Sequence, residues 1–173
     1  LDATLGALQR RELVQRDPRG FGGDDGLRFS HGLIRDAAYR FLPKETRSEL
    51  HERLAMWLDR ATEQPLGEQE EVVGYHLEQA YHYRAELGRV GARERALGAE
   101  AARRLDSSGR RAFARSDLPA AVKLLERAEA LLSRDDRARA ELLPSLGAAL
   151  TEAGRLSEAD RVLEAAVDCS RVN

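Results

Sequence analysis

The chain has 173 residues, of which 42% are hydrophobic and 34% charged, and its formal net charge at pH 7 is -2. This balance excludes a disordered chain and suffices for one ordinary domain, or for a small domain followed by repeats. Basic and acidic residues number 28 and 30, so there is no basic excess and we do not expect a nucleic-acid partner.

The first 29 residues predict a helix followed by a β-hairpin. Residues 1–12 carry leucines at helical spacing, and the chain opens on Leu1 inside this pattern, from which we expect a fragment of a longer protein. A strand at 13–16, the turn-rich segment 17–26 and a second strand at 27–29 form the hairpin. Helix, strand, loop and strand is the order in the second half of a winged helix, and this hairpin is the only sheet that we expect.

Two amphipathic helices are predicted next. Ser30 has the chemistry of an N-cap, and Pro43 suits the opening of the second helix. The predicted buried face of the first comprises Leu33, Ile34, Ala37, Ala38 and Phe41. The apolar stripe predicted to face inward on the second comprises Leu50, Leu54, Trp57, Leu58 and Ala61.

The remaining sequence keeps a helical period. We expect helices at 68–87, 92–115, 117–132, 138–153 and 157–170. The second of these is either one long helix or two short ones interrupted near Ser107-Ser108-Gly109, because these residues are poor helix formers. Helices joined by short polar turns are typical of a helical array.

The last two predicted helices fit the tetratricopeptide pattern, a helix–turn–helix unit with a fixed order of large and small residues. The residues that define it are Leu143, Leu146, Gly147, Leu150, Gly154, Ala159, Leu163 and Ala166. Gly147 and Ala159 are small where the paired helices would touch, and Gly154 can take the left-handed conformation that ends a helix. A weaker copy includes Gly109, 38 residues before Gly147. A plain bundle with a chance Ala/Leu pattern is the alternative.

The sequence therefore predicts an all-α fold, with a right-handed helical-repeat (TPR-like) array preceded by a partial winged helix with one short β-hairpin. We predict three regions. Residues 1–42 form the C-terminal part of a winged-helix subdomain, 43–104 form linker helices that pack onto the array, and 105–173 form the TPR-like repeats. Such repeats bury their apolar faces only against neighbours.

Three segments carry a family resemblance. They are the run RFSHGLIRDAAY at 28–39, which continues through Leu42-Pro43 to His51, the run YHLEQA at 75–80, and the run LLERA at 124–128. This succession resembles the region that follows the ATPase module in bacterial signal-transduction ATPases of the STAND type, particularly those of actinobacteria. Those modules are joined to class III adenylate/guanylate cyclase domains or to transcription-activating DNA-binding domains.

The resemblance implies a role for His31. Its His-x-Leu-x-x-x-Ala stretch resembles the Met-His-Asp motif of related switch ATPases, whose histidine senses the β-phosphate of bound ADP, although Ser30 and Gly32 here replace the flanking Met and Asp. After an N-cap at Ser30, His31 would also lie in the first helical turn, where free N–H groups and the helix dipole favour an anion. The alternative is that His31 only caps its helix and packs on the hairpin.

Catalytic and metal-binding constellations are absent from the sequence. It has no Gly-xxxx-Gly-Lys-Ser/Thr loop, so we expect no cofactor in this fragment, with ATP or ADP bound by the parent protein. His76 and His82 are six residues apart, about 240° around a helix, and cannot share a metal. Three tyrosines near them suggest either a recognition patch or packing between helices. We therefore predict that the chain is not an enzyme.

Two functions remain for such a chain. The first is a non-catalytic regulatory and protein-interaction region of a multidomain signalling ATPase, which relays nucleotide state and holds a protein partner or another domain of the same protein. The single cysteine, Cys169, excludes an internal disulfide and fits a cytoplasmic location, and no apolar run approaches the roughly 20 residues of a membrane helix. The second is DNA binding by the winged helix. The arginines available for that role are Arg10, Arg11, Arg16, Arg19 and Arg28.

Overall fold

The computed structural model describes residues 2–17, 26–61, 67–134 and 136–172. Within these ranges the chain forms eight helices and one two-stranded antiparallel sheet. The prediction of a predominantly helical chain is therefore confirmed. The chain divides into two compact units, residues 1–47 and 48–173.

The first unit contains a helix, the hairpin and a second helix. Its elements are α1 (Asp2–Arg10), β1 (Val14–Asp17), β2 (Gly26–Phe29) and α2 (Gly32–Phe41). The strands pair antiparallel with Val14 opposite Phe29, and the Ser30 amide extends the ladder by donating to the Leu13 carbonyl at 3.0 Å. The predicted hairpin is thus present, while most of the turn between its strands lies outside the described residues.

The predicted buried face of α2 is wrong. No residue of α2 is buried, and Leu33 and Phe41 are 72% and 88% exposed. Ile34 alone of the five is half-buried, and Ala37 and Ala38 are exposed. The helix packs against β2, and that strand is four residues long, so it covers little of the helix surface.

The second unit is a succession of six helices. They are α3 (Lys44–Ala61), which begins just before the unit boundary, α4 (Gly67–Glu86), α5 (Ala92–Ala114), α6 (Leu118–Ala130), α7 (Arg137–Glu152) and α8 (Leu156–Val172). From α4 onward each helix packs on the next one in the chain, and α5 also touches α7. Leucines of α5, α6 and α7 fill the core, with Leu105, Leu125 and Leu142 almost fully buried.

Helix ends follow the local sequence closely. The Asp117 side chain accepts from the Ala120 amide at 3.2 Å and the Asp136 side chain accepts from the Ala138 amide at 2.9 Å, which begins α6 and α7. Of the two alternatives for residues 92–115, the structure has one long helix, since α5 is continuous through 107–109. Gly109 is buried there against α6, so tertiary packing outweighs its low helix propensity.

The prediction for α3 is also wrong. Leu50, Leu54 and Trp57 are 45%, 39% and 45% exposed, Ala61 is exposed, and Leu58 alone of the predicted stripe is buried. The buried residues of α3 are Ser48, Ala55 and Leu58. Polar partners on α4 turn this other side inward, because the Ser48 hydroxyl donates to the Ala80 carbonyl at 3.0 Å and accepts from Arg84 Nε at 3.0 Å.

The three predicted regions stay predictions. The compact units divide between residues 47 and 48, five residues after the predicted end of the winged-helix part. The predicted boundary at residue 104 lies inside α5.

Candidate functional site

His31 is the N-cap of α2. Its backbone is extended, with φ -143°, and its Nδ1 accepts from the Leu33 amide at 3.3 Å. The predicted cap at Ser30 is therefore wrong by one residue, and His31 precedes the first turn rather than lying in it. Ser30 instead gives its amide to the hairpin.

The hydrogen bond from the Leu33 amide determines which ring nitrogen of the neutral His31 carries the proton. Because Nδ1 accepts a hydrogen bond, the neutral ring carries its proton on Nε2. The side chain is exposed, so this N–H faces solvent beside the N-terminus of α2, where the helix dipole favours an anion. The nearby Arg35 is bound to Asp36 through Nε and Nη2 at 2.9 and 2.8 Å.

The arginines considered for DNA binding do not share one face. Arg16 stands opposite Leu27 and Gln15 opposite Arg28, so Arg16 and Arg28 project from opposite sides of the hairpin. Arg10 ends α1 and is exposed. The predicted Arg19 lies outside the described residues. A single basic surface built on both strands is therefore not formed by this hairpin.

A histidine pair joins α3 to α4. His51 Nδ1 and His76 Nδ1 are 2.7 Å apart, so one ring donates its Nδ1 proton to the other. The rings of Tyr75 and Tyr83 lie 6.2 and 6.0 Å from the His51 ring. Sequence analysis compared His76 with His82 and did not predict the His51–His76 pair, because His51 and His76 are 25 residues apart on different helices.

Burial keeps both rings of the pair neutral. It lowers the pKa of His51 from 6.5 to about 4, with a smaller contribution from His76, and it lowers the pKa of His76 as well. One shared hydrogen bond needs one ring to donate and the other to accept, and two charged rings have no acceptor between them. The hydrogen bond between α3 and α4 is therefore lost when both rings are protonated.

Two segments of the family resemblance meet at an ion pair. Glu78 on α4 is 6% exposed, and Arg127 on α6 donates to it from Nε at 3.1 and 3.2 Å and from Nη2 at 2.5 Å. The Arg127 guanidinium also lies 5.9 Å from the centre of the Tyr75 ring. The glutamate raises the pKa of Arg127 through these hydrogen bonds. The ion pair thus connects α4 to α6, two helices that are not consecutive in the chain.

Further charge pairs tie α5 to the two preceding helices. Glu52 on α3 pairs with Arg84 and with Arg93, the latter at 3.2 Å. Glu70 on α4 pairs with Arg111 at 2.7 Å, and hydrogen bonds from Arg111 and Ser107 outweigh burial and lower the pKa of Glu70. These pairs connect α3, α4 and α5 to one another.

The residues predicted to define the last repeat lie at the α7–α8 contact. Leu143, Leu146, Gly147, Leu150 and Ala159 are buried. Ala166 is half-buried, Leu163 is 40% exposed, and Gly154 has a φ of 75° at the turn between the helices.

A shallow groove of about 470 Å³ lies beside this contact. Its lining residues are Leu118, Pro119, Val122, Lys123, Glu126, Glu152, Ala153 and Arg155. The apolar floor comes from the first turns of α6, while the charged rim carries both signs.

Metal sites and membrane-spanning helices are the other features considered for the described residues. The described residues hold no group of three or more histidine, cysteine, aspartate or glutamate side chains placed to bind a metal ion. None of the described helices is long and apolar enough to cross a membrane. No family model, curated protein or solved structure matches the chain.

Proposed function

We propose that the chain is a non-catalytic regulatory and protein-interaction region of a STAND-type signalling ATPase. In this proposal residues 1–42 are the end of a winged-helix subdomain that reports nucleotide state. Residues 105–173 are TPR-like repeats that hold a protein partner or another domain of the same protein.

The repetition of one helical hairpin carries the proposal. Gly109 lies against Leu125 between α5 and α6, and Gly147 lies against Leu163 between α7 and α8, with both contacts shifted by 38 residues. A Cβ on the glycine would come within 2.8 Å of the leucine Cγ in the first hairpin and within 2.7 Å in the second. Close helix approach at a glycine is what the tetratricopeptide pattern requires of that position.

The turns repeat with the same offset. Ser116 and Gly154 both have a positive φ, of 61° and 75°. The amide of the next residue then bonds back to the preceding helix at 2.9 Å in both turns, from Asp117 to the Ala112 carbonyl and from Arg155 to the Leu150 carbonyl. A chance Ala/Leu pattern would not repeat the turn as well as the core, so these matches favour repeats over a plain bundle.

The sensing part of the proposal rests on His31. The Nδ1 cap aims a donor, Nε2–H, into solvent at a helix N-terminus, and this combination suits a phosphate oxygen. The sequence lacks the phosphate-binding loop, so we expect sensing only in a protein that also contains the ATPase module.

Calorimetry with ADP tests the sensor on the full-length protein. His31→Asn keeps a side-chain acceptor for the Leu33 amide but removes the imidazole donor, whereas His31→Ala removes both. Loss of one charge-assisted hydrogen bond should weaken ADP binding by about tenfold in both variants. His82→Asn, at an exposed histidine of α4, is the matched control. Wild-type ADP affinity in His31→Asn would refute the sensing role.

A further inference from the structure

Two helices of the second unit expose apolar side chains along one side. The α3 outer face consists of Leu50, Leu54, Trp57 and Ala61, and the α8 outer face consists of Leu156, Leu163 and Val167. Each set is a continuous line, because steps of three, four or seven residues return to the same side of a helix. Single exposed apolar residues are normal on a protein surface, whereas aligned sets indicate a contact surface.

The two outer faces have matching length and spacing. Leu50 to Ala61 and Leu156 to Val167 each span 11 residues, which is roughly 16 Å of helix. The α3 line advances by four, three and four residues. On α8 the same steps lead from Leu156 to Asp160, Leu163 and Val167. Asp160 therefore takes the position that Leu54 has on α3.

Their charges are complementary. Asp160 lies within the α8 line and Glu164 borders it, and both are exposed. An entirely apolar partner would remove water from Asp160 without replacing it, so the partner must bring a cation. Arg53 and Arg60 are exposed on one flank of the α3 line, where Glu49 is the acidic neighbour.

We propose that the α8 outer face binds the α3 outer face of a second copy of this chain. The helices α3 and α8 are the first and last of the second unit, so one copy offers both faces. Two copies that exchange both contacts form a closed two-fold dimer, whereas copies that exchange one contact at a time build a ring or an open chain. This inference does not depend on nucleotide sensing by His31.

Sedimentation velocity of the chain over a range of concentrations tests the proposal. The wild type should self-associate as its concentration rises, and added salt should weaken the association. Trp57→Asp breaks the α3 outer face, and Leu156→Asp with Val167→Asp breaks the α8 outer face. Each should weaken association by about tenfold or more. Val90→Asp changes a comparably exposed apolar residue outside both faces and should behave as wild type.

A mixing experiment distinguishes this contact from the alternatives. Both broken faces are acidic and repel each other, so an equimolar mixture of the two variants retains one intact contact and should stop at a 1:1 dimer. Arg53→Glu with Arg60→Glu provides a second α3 variant that leaves the apolar line intact and should also lose association. Circular dichroism checks that every variant stays folded. A monomeric wild type, a single-face variant that still self-associates, or a mixture that stays monomeric would each overturn the proposal.

Discussion

The two equivalent glycines should respond differently to the same substitution. Alanine gains about 1 kcal/mol over glycine inside a helix from propensity alone. At Gly109 the new Cβ would lie 2.8 Å from Cγ of Leu125 and 3.3 Å from Cβ of Leu124. Leu125 is fully buried and has no space to move into, so overpacking of about 2–3 kcal/mol exceeds the gain. Gly109→Ala should therefore destabilise the protein by about 1–2 kcal/mol.

At Gly147 the neighbour is free to move outward. The new Cβ would meet Leu163 at its Cγ and Cδ2 atoms, but that side chain is 40% exposed and can rotate toward solvent. Gly147→Ala should change stability by less than about 0.5 kcal/mol, because relief of the clash preserves most of the propensity gain. Urea unfolding followed by far-UV circular dichroism measures both variants. Equal shifts of the two midpoints, or a Gly109→Ala protein as stable as wild type, would refute the role assigned to the buried leucine.

Three further sets of substitutions test the turns, the ion pair and the histidines. Ser116→Gly should stabilise the protein by about 1 kcal/mol and Gly154→Ala should destabilise it by about as much in urea unfolding, because both residues have a positive φ. Arg127→Met should lower the free energy of unfolding by about 3 kcal/mol, because it leaves the buried carboxylate of Glu78 without its cation. Adding Glu78→Gln removes that charge and should recover part of the loss, and a double variant that recovered none of it would contradict this explanation. The folded-state pKa of His51 is about 4, below the ordinary 6.5, so stability should fall as pH drops from about 6.5 toward 4. His51→Gln should flatten that fall between pH 6.5 and 5, and an unchanged slope would exclude the histidine as its cause.

Helix ends and the hairpin were predictable because their signals are local. Gly154 takes the predicted left-handed conformation at its turn. Asp117 and Asp136 were not predicted as caps, but they cap α6 and α7 by a preference that likewise depends on the adjacent backbone. The exception was the cap of α2. Ser30 and His31 both offer an acceptor, and the choice between them depends on where the Ser30 amide bonds in the hairpin.

The contacts between distant helices were not predictable. Hydrophobic periodicity predicts which side of a helix is buried. It does not predict which polar side chains on different helices bind each other, such as His51 with His76 or Glu78 with Arg127. Each of these pairs joins residues at least 25 positions apart. The 38-residue offset was visible in the sequence. The matching contacts and turns of the two hairpins are what support reading it as a structural repeat.

The rotation of α3 about its own axis shows how such contacts outweigh hydrophobic pattern. Rolling the helix to bury Leu54 and Trp57 would gain about 1–2 kcal/mol for each, since 39% and 45% of their surfaces are exposed. The same roll would expose the buried Ala55 and Leu58, which offsets much of that gain. It would also take Ser48 and Glu52 away from Arg84, which would keep Glu94 at 3.8 Å, and breaking such an ion pair costs about 3–5 kcal/mol. The polar contacts therefore win, and the apolar line is left on the surface. The exposed α3 outer face is thus a direct consequence of the buried polar side, and replacing both Ser48 and Arg84 by apolar residues should let the helix turn and remove the surface on which self-association depends.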